Sequence, residues 1–172
     1  MAADPKAQAL AQRKLEAAGK YLTFFLASEE YGIPILKVQQ IIGVTSITVV
    51  PRTPHYVLGV INLRGKIIPV IDIRRKLDME PVEPSEANCI IVVKSNNIEM
   101  GMYVDRVSEV LSVTPEDIED TPFFGGQVST EYLVGIAKTQ GRVRLLLDID
   151  KALSTSELMQ LSAAFGGGMD SD

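Results

Sequence analysis

Short runs of apolar and β-branched residues alternate with turn residues along most of the chain. From Tyr21 onward the runs are YLTFFLA, YGIPI, SITVV, GVINL and KIIPVIDI, and a second series reads CIIVV, IEMGMYV, EVLSV, YLVGIA and RVRLLLDI. Runs of this length between Gly, Pro, Asn and Asp residues are typical of β-strands. The pattern therefore predicts an all-β protein, built either as barrels or as a sandwich.

The two ends of the chain follow a different pattern. The first twenty residues are rich in Ala, Lys, Arg and Glu, which indicates a marginal helix or a mobile tail. Ser154 and Glu157 fit the sequence pattern of a capping box ahead of LMQLSAAF, which predicts one short C-terminal helix. The closing GGGMDSD segment has Met169 as its single apolar side chain, so we expect it to be disordered.

The two series of strands are copies of each other. YVLGVINLRGKIIPVIDIRRKL aligns without gaps to YLVGIAKTQGRVRLLLDIDKAL at an offset of 76 residues, and YLTFFLASEEYGI matches IIVVKSNNIEMGM at an offset of 69. The repeat predicts two related barrels, each of about five strands. We expect a mobile tail over residues 1–20, a first barrel over 21–86, a second barrel with the C-terminal helix over 87–165, and a disordered tail over 166–172.

Positions that both copies retain are expected to serve the fold. Gly65 and Gly141 are equivalent and lie between two strands, where a tight turn needs positive φ. Asp72 and Asp148 each follow a strand and suit the N-cap of a short helix. Arg64 has Gln140 as its counterpart, so the barrel does not require a cation there. Arg64 is therefore a candidate for a function outside the fold.

Composition and charge disfavour several classes of protein, among them a nucleic-acid-binding barrel, which stays a less favoured alternative. Lys and Arg number 17 against 22 Asp and Glu, a net charge of −5, and the single basic cluster is Arg74, Arg75 and Lys76. A nucleic-acid-binding barrel would need exposed aromatics beside a denser positive face, and the chain has no Trp. The lone cysteine rules out an intramolecular disulfide. No signal peptide or membrane span is expected, which favours a cytoplasmic protein.

Residues able to support catalysis or bind metal are sparse. His55, the single histidine, lies in the turn segment PRTPHY without a partnered nucleophile. Cys89 opens the run CIIVV and is interpreted as a small buried hydrophobe. Neither Asp72 nor Asp148 has a His or a second carboxylate at ligand spacing. We therefore expect no enzymatic activity, metal or cofactor, although an enzyme with an unrecognised site is the alternative.

Two apolar triplets recur in the copies. Ile35, Val38 and Ile41 are spaced three residues apart, and Val104, Val107 and Val110 repeat that spacing. Core packing is one explanation for these positions. If the barrels face each other across a pseudo-twofold axis, the triplets would instead converge on a shared groove, which suits a partner helix.

Several segments resemble one known family. YGIPILKVQQI, GVINLRGKIIPVIDIRRKL and STEYLVGI are similar to the hallmark segments of the CheW-type coupling proteins of bacterial chemotaxis, and the resemblance extends from about Tyr21 to Leu153. It implies two pseudo-symmetric five-stranded SH3-like barrels. It also implies a non-catalytic adaptor that joins membrane chemoreceptors to the histidine kinase CheA. A related small-barrel adaptor of another signalling complex is the alternative.

The resemblance also implies partners and two surfaces. The partners are the cytoplasmic tip of methyl-accepting chemoreceptors and the regulatory domain of CheA, with the chain monomeric alone and array-forming at receptor clusters. Gln40 departs from the family, because many relatives carry an acidic residue there. The implied receptor-binding groove contains Ile35, Val38, Gly101, Val104, Val107 and Val110. The implied kinase-binding and coupling surface contains Gln40, Ile41, Gly59 and Arg64.

Overall fold

The structure is a computed structural model that describes residues 4–95, 97–119 and 132–153. The predicted helix after Ser154 and the Gly-rich tail lie outside these residues. The helices are α1 (Pro5–Ala17), α2 (Ile73–Lys76) and α3 (Ile149–Leu153), and short 3₁₀ turns span Ile35–Lys37 and Pro115–Asp117. The strands are β1 (Gly19–Leu26), β2 (Glu29–Pro34), β3 (Val38–Gly43), β4 (Val57–Leu63), β5 (Lys66–Asp72), β6 (Cys89–Ser95), β7 (Ile98–Val104), β8 (Arg106–Val113), β9 (Ile118–Glu119), β10 (Leu133–Thr139) and β11 (Arg142–Leu147).

The strands form two SH3-like barrels, which confirms the predicted fold class. Barrel 1 is the five-stranded sheet with the order β3-β6-β7-β5-β4, and barrel 2 is the six-stranded sheet with the order β8-β1-β2-β11-β10-β9. The sixth strand is the two-residue β9, which pairs with β10. Its counterpart in barrel 1 is an isolated bridge between Thr48 and Val60, so the barrels have one plan.

The sheets do not follow the predicted boundary between residues 86 and 87. Strands β1 and β2 pair within barrel 2, and β6 and β7 pair within barrel 1, so each half of the chain lends a hairpin to the other barrel. The linking contacts are parallel pairs of β2 with β11 and of β5 with β7. A repeat reveals which strands are alike, whereas pairing is decided by the three-dimensional arrangement. The predicted boundaries, with each barrel in one continuous half of the chain, are therefore corrected. Each barrel contains one hairpin from the other half.

The pairing registers obey the pseudo-symmetry of the sequence. Gly101 pairs with Val70 in barrel 1, and the equivalent residues Gly32 and Leu146 pair in barrel 2. The antiparallel pairs of β3 with β6 and of β8 with β1 correspond in the same way. Ile41 lies opposite Ile91, and Val110 lies opposite Leu22. The duplication thus extends from residue identity to the register of the pairs.

Apolar side chains form one shared cluster and one interior for each barrel. The largest cluster draws residues from both sheets, among them Phe24 and Ile33 of barrel 2 and Ile71 and Met102 of barrel 1. Helix α1 closes the interior of barrel 2, where Ala17 is 3% exposed and its carbonyl accepts a hydrogen bond from the Tyr21 hydroxyl at 2.6 Å. Of the two expectations for the N-terminal residues, a helix is therefore observed over Pro5–Ala17.

The retained turn and cap residues have the conformations that the repeat predicts. Gly65 and Gly141 have φ of 84° and 74°, and Arg64 and Gln140 before them have φ of 54° and 53°. Two consecutive positive φ values define type I′ hairpin turns in both copies. Asp72 Oδ1 accepts the Arg74 N–H at 3.0 Å, and Asp148 Oδ1 accepts the Lys151 N–H at 3.1 Å, so both carboxylates cap helices.

Candidate interaction surfaces

Arg64 occupies the exposed tip of the β4–β5 hairpin in barrel 1. The turn is closed by its neighbours, because the Gly65 N–H donates to Asn62 Oδ1 at 2.9 Å. Among the residues that the structure describes, no side-chain hydrogen bond or ion pair involves Arg64. Its guanidinium, with five donors in one plane, is thus presented to solvent.

The other residues of the implied coupling surface divide into two groups. Gln40 and Ile41 lie on β3, an edge strand of barrel 1, where Gln40 is half-buried and Ile41 is 45% exposed. Gly59 is buried on β4, and a Cβ atom there would lie 2.1 Å from the Thr48 carbonyl oxygen. Close approach of two backbones explains this glycine, so its role is corrected from partner contact to barrel closure.

The implied groove residues also separate by burial. Ile35, Val38 and Val107 are half-buried and pack against the cluster that both barrels share, while Val110 is 55% exposed on the edge strand β8. Val104 is fully buried in that cluster.

Gly101 is the other buried position, and a Cβ atom there would approach Ile90 Cγ2 to 2.7 Å. Val104 and Gly101 are therefore corrected to core residues. They have no side-chain surface to offer a partner.

Leu36 is an apolar surface residue that the sequence does not single out. It is 95% exposed, in the 3₁₀ turn between Ile35 and β3. Its equivalent at the offset of 69 is Asp105, so the two copies differ here as they do at Arg64 and Gln140. A comparison of the copies would have identified Leu36 as a candidate contact beside the groove.

A partly buried ion pair joins α2 to the residue between β7 and β8. Arg74 Nε and Nη2 donate to the two oxygens of Asp105 at 2.8 and 2.5 Å, and Nη1 donates to the Glu80 carbonyl at 2.9 Å. Burial acts to raise the pKa of Asp105, but hydrogen bonds from Arg74 and the Ala27 amide outweigh it and lower the pKa. Arg74, a member of the single basic cluster in the sequence, is 8% exposed.

The residues considered for catalysis do not form a site. His55 Nε2 lies 3.9 Å from Asp78 Oδ1, and both side chains are exposed. Cys89 is half-buried, and burial raises the pKa of its thiol. Within the described ranges, no group of three His, Cys, Asp or Glu residues is arranged to hold a metal ion, and no helix is long and apolar enough to cross a membrane.

The two barrels expose Arg64, which has no partner among the described residues, and the apolar side chains of Leu36, Ile41 and Val110. These features are typical of a protein-interaction module. A family model described as the CheW-like domain matches residues 20–157. The chain is 43% identical over 139 residues to the chemotaxis protein CheW of Klebsiella aerogenes, covering 81% of this chain and 84% of that protein. The chemotaxis protein CheW of Rhizobium meliloti is 34% identical over 148 residues, covering 86% of this chain and 96% of that protein.

A solved structure agrees with these matches. The scaffolding protein TtCheW of Thermoanaerobacter tengcongensis superposes with a TM-score of 0.75 and 34% identity, covering 81% of this chain and 95% of that protein. The chain belongs to the CheW family of chemotaxis proteins.

Proposed function

We propose that the chain is a non-catalytic adaptor that couples the cytoplasmic tips of chemoreceptors to the regulatory domain of the histidine kinase CheA. Family membership supports this function. The observation that links it to a particular residue is Arg64, which is exposed and has no partner among the described residues. The protein works in the cytoplasm, is recruited to receptor clusters, and is monomeric until its partners assemble it into arrays.

Two surfaces serve the two partners. The receptor helix packs on the apolar groove formed by Ile35, Val38, Val107 and Val110, beside Leu36. The kinase contacts barrel 1 at Gln40 and Ile41 on β3 and at Arg64 on the tip of the β4–β5 hairpin. Arg64 has no hydrogen bond or ion pair among the described residues, so its guanidinium can bind a carboxylate or carbonyl groups of the kinase.

The decisive experiment replaces Arg64 with glutamine, the residue that the second copy uses. Gln140 has φ of 53° at the equivalent position, so glutamine tolerates this backbone conformation. We expect Arg64→Gln to unfold at nearly the same urea concentration as the parent, because its guanidinium has no partner among the described residues. Assembly of the receptor–kinase complex should fall by at least about tenfold, a loss of roughly 1.4 kcal/mol.

Binding is measured to the receptor alone, to CheA alone and in the ternary mixture. Lys66→Gln on the same hairpin is the matched control for lost charge, since Lys66 is already paired with Glu99 at 3.0 Å. Val110→Glu should weaken receptor binding selectively. Full assembly by Arg64→Gln, or a stability loss large enough to explain its defect, would contradict the proposal.

A further inference from the structure

Two short connections take the chain from one barrel to the other. The first connection is the 3₁₀ turn Ile35–Lys37, which leads from β2 of barrel 2 to β3 of barrel 1. The second connection is Asp105, which leads from β7 of barrel 1 to β8 of barrel 2. The first connection also carries the side chains of Ile35 and Leu36, which belong to the proposed receptor surface. Its orientation therefore sets the shape of that surface.

The first connection has few restraints within the turn itself. Ile35 packs against the cluster that both barrels share, but none of the three residues is buried, and no side chain among the described residues caps the turn. One hydrogen bond closes it, from the Val38 N–H to the Ile35 carbonyl. Leu36 is 95% exposed and adds no buried area. A segment with so little buried surface is easily displaced unless a side chain ties it to the barrels.

Lys37 ties the first connection to α3, the helix that follows the last strand of barrel 2. Its ammonium donates to Asp150 Oδ1 at 3.2 Å and to Oδ2 at 3.3 Å. Ser95, which is 1% exposed at the end of β6 of barrel 1, donates its hydroxyl to Asp150 Oδ1 at 2.6 Å. Hydrogen bonds from Ser95 and Lys37 lower the pKa of Asp150 against the opposing effect of burial. An oriented, ionised carboxylate thus faces Lys37.

The other copy holds its connection from the equivalent position, with the charges reversed. Arg74 is equivalent to Asp150 at the offset of 76, and the two residues lie on the equivalent helices α2 and α3. Arg74 binds Asp105, whose equivalent is Leu36, the neighbour of Lys37. Each helix therefore holds a connection by an ion pair, although the sign of its charge differs. The copies retain the tie rather than the residue.

We propose that Asp150 is a positioning residue for the receptor surface, an assignment that rests on the proposed adaptor function. By holding Lys37, Asp150 fixes the turn that presents Ile35 and Leu36 to the receptor helix. Asp150 makes no contact with the receptor itself. Without the tie, the receptor has to order the turn when it binds, and this ordering lowers the affinity.

The test compares Asp150→Asn with the parent in binding to a soluble fragment of the receptor's cytoplasmic tip. Asparagine can still accept the Ser95 hydroxyl but has no charge to attract Lys37. We expect the dissociation constant to rise about two- to fivefold, the range of a half-exposed ion pair, while the urea midpoint stays nearly unchanged. In the free protein, NMR relaxation should show the Leu36 methyl groups becoming more mobile.

Asp148→Asn is the matched control at the start of the same helix. It removes the same charge, and asparagine serves as an N-cap as well as aspartate does. Asp148 caps α3 through the Lys151 N–H and has no bond to Lys37 among the described residues. Receptor affinity and the mobility of Leu36 should therefore match those of the parent.

A double-mutant cycle separates positioning from direct contact with the receptor. Lys37→Met combined with Asp150→Asn should weaken binding no more than either change alone, because both changes remove one ion pair. Lys37→Glu combined with Asp150→Lys gives the helix a cation and the connection an acid, as in the other copy. This reversed pair should restore most of the affinity, which a general loss of stability would not allow.

Four results would overturn the positioning role. They are unchanged receptor binding by Asp150→Asn, a fall in its urea midpoint large enough to explain its defect, fully additive losses in the cycle, and no rescue by the reversed pair. Because Leu36 mobility is measured without a receptor, a mobile turn with normal binding would reject the positioning role and leave the adaptor function intact. Failure of the parent to bind the receptor fragment would instead reject the adaptor function and this assignment with it.

Discussion

At the scale of single residues, the interior of barrel 2 contains a charged side chain that the equivalent position of barrel 1 lacks. Arg144 is fully buried there, with Nε 3.2 Å from Glu30 Oε1 and Nη1 donating to the Thr139 carbonyl at 3.2 Å. Arg142 also pairs with Glu30, as the equivalent Lys66 pairs with Glu99 in barrel 1. The equivalent of Arg144 in barrel 1 is Ile68, which is 2% exposed. Among the described residues, the interior of barrel 2 therefore holds a charge where barrel 1 has an isoleucine.

This difference predicts unequal costs for removing either partner of the buried pair. Glu30→Ala leaves the buried Arg144 with only the half-exposed Glu109, 3.6 Å away, as a carboxylate partner and should lower the free energy of unfolding by up to about 3–5 kcal/mol. Arg144→Ile copies barrel 1 and leaves Glu30 paired with Arg142, so its cost should be clearly smaller or near zero. Urea unfolding of the two variants measures both values. Equal losses would show that the pair acts as an inseparable unit.

The sequence predicts part of this residue-scale description. Arg64 was recognisable because its counterpart Gln140 shows that the fold does not need the charge. Arg144 stands opposite Ile68 in the same alignment, but RVRLLL alternates in a way that allows Arg142 and Arg144 to face either side of the sheet. Which side is interior depends on barrel closure, so neither the buried Arg144 nor the buried Gly101 and Val104 could be placed from the pattern alone.

At the scale of secondary-structure elements, Asp105 connects segments that are distant in the chain. It is the single residue between β7 of barrel 1 and β8 of barrel 2. Its carboxylate binds Arg74 of α2 and accepts the Ala27 N–H from the β1–β2 turn at 2.7 Å. Its carbonyl accepts Asn88 Nδ2 at 3.0 Å. The crossover between the barrels is therefore fixed by an ionised carboxylate.

Acid should weaken this crossover. Burial acts to raise the pKa of Asp105, but hydrogen bonds from Arg74 and the Ala27 amide hold it below the ordinary value of an aspartate. A carboxyl with a depressed folded-state pKa stabilises the fold above its unfolded pKa, and this contribution is lost as pH falls through the folded-state value. We expect the stability difference between the parent and Asp105→Asn to be constant above about pH 5 and to shrink below pH 4. Urea unfolding of both proteins across this pH range measures the difference.

Asp150 needs its own comparison, because hydrogen bonds from Ser95 and Lys37 lower its pKa as well. Asp150→Asn in both backgrounds separates the two carboxylates. A difference between parent and Asp105→Asn that does not change with pH would show that Asp105 stabilises the crossover by packing rather than by charge.

At the scale of the whole molecule, the repeat specifies two barrels but not which hairpin belongs to which. Both parallel pairings have the same register, with a glycine on one strand opposite an aliphatic residue on the other. If each barrel used only the strands of its own half of the chain, the apolar pattern of its strands would be nearly the same as in the observed, exchanged arrangement. Which hairpin joins which barrel depends on the geometry of the connections and on the apolar cluster that both barrels share. Neither can be read from the sequence of a single copy.

The exchange predicts that neither half of the chain folds alone. Residues 1–86 contain three strands of barrel 1 and two of barrel 2, so expressing them without residues 87–172 removes β6 and β7 from one sheet and leaves β1 and β2 without β11 and β8. Each separate half should lack a cooperative thermal transition, and an equimolar mixture should recover the circular dichroism and melting transition of the full chain.

The parent chain cleaved once at a protease site engineered into the exposed segment at residues 82–87 is the control, since both halves then start from the folded state. It should remain associated and folded. A cooperative melt from residues 1–86 alone would mean that β1 and β2 can close barrel 1 in place of β6 and β7. The contiguous arrangement would then be accessible to this sequence, and the exchange would be a preference set by the full chain rather than a requirement of each barrel.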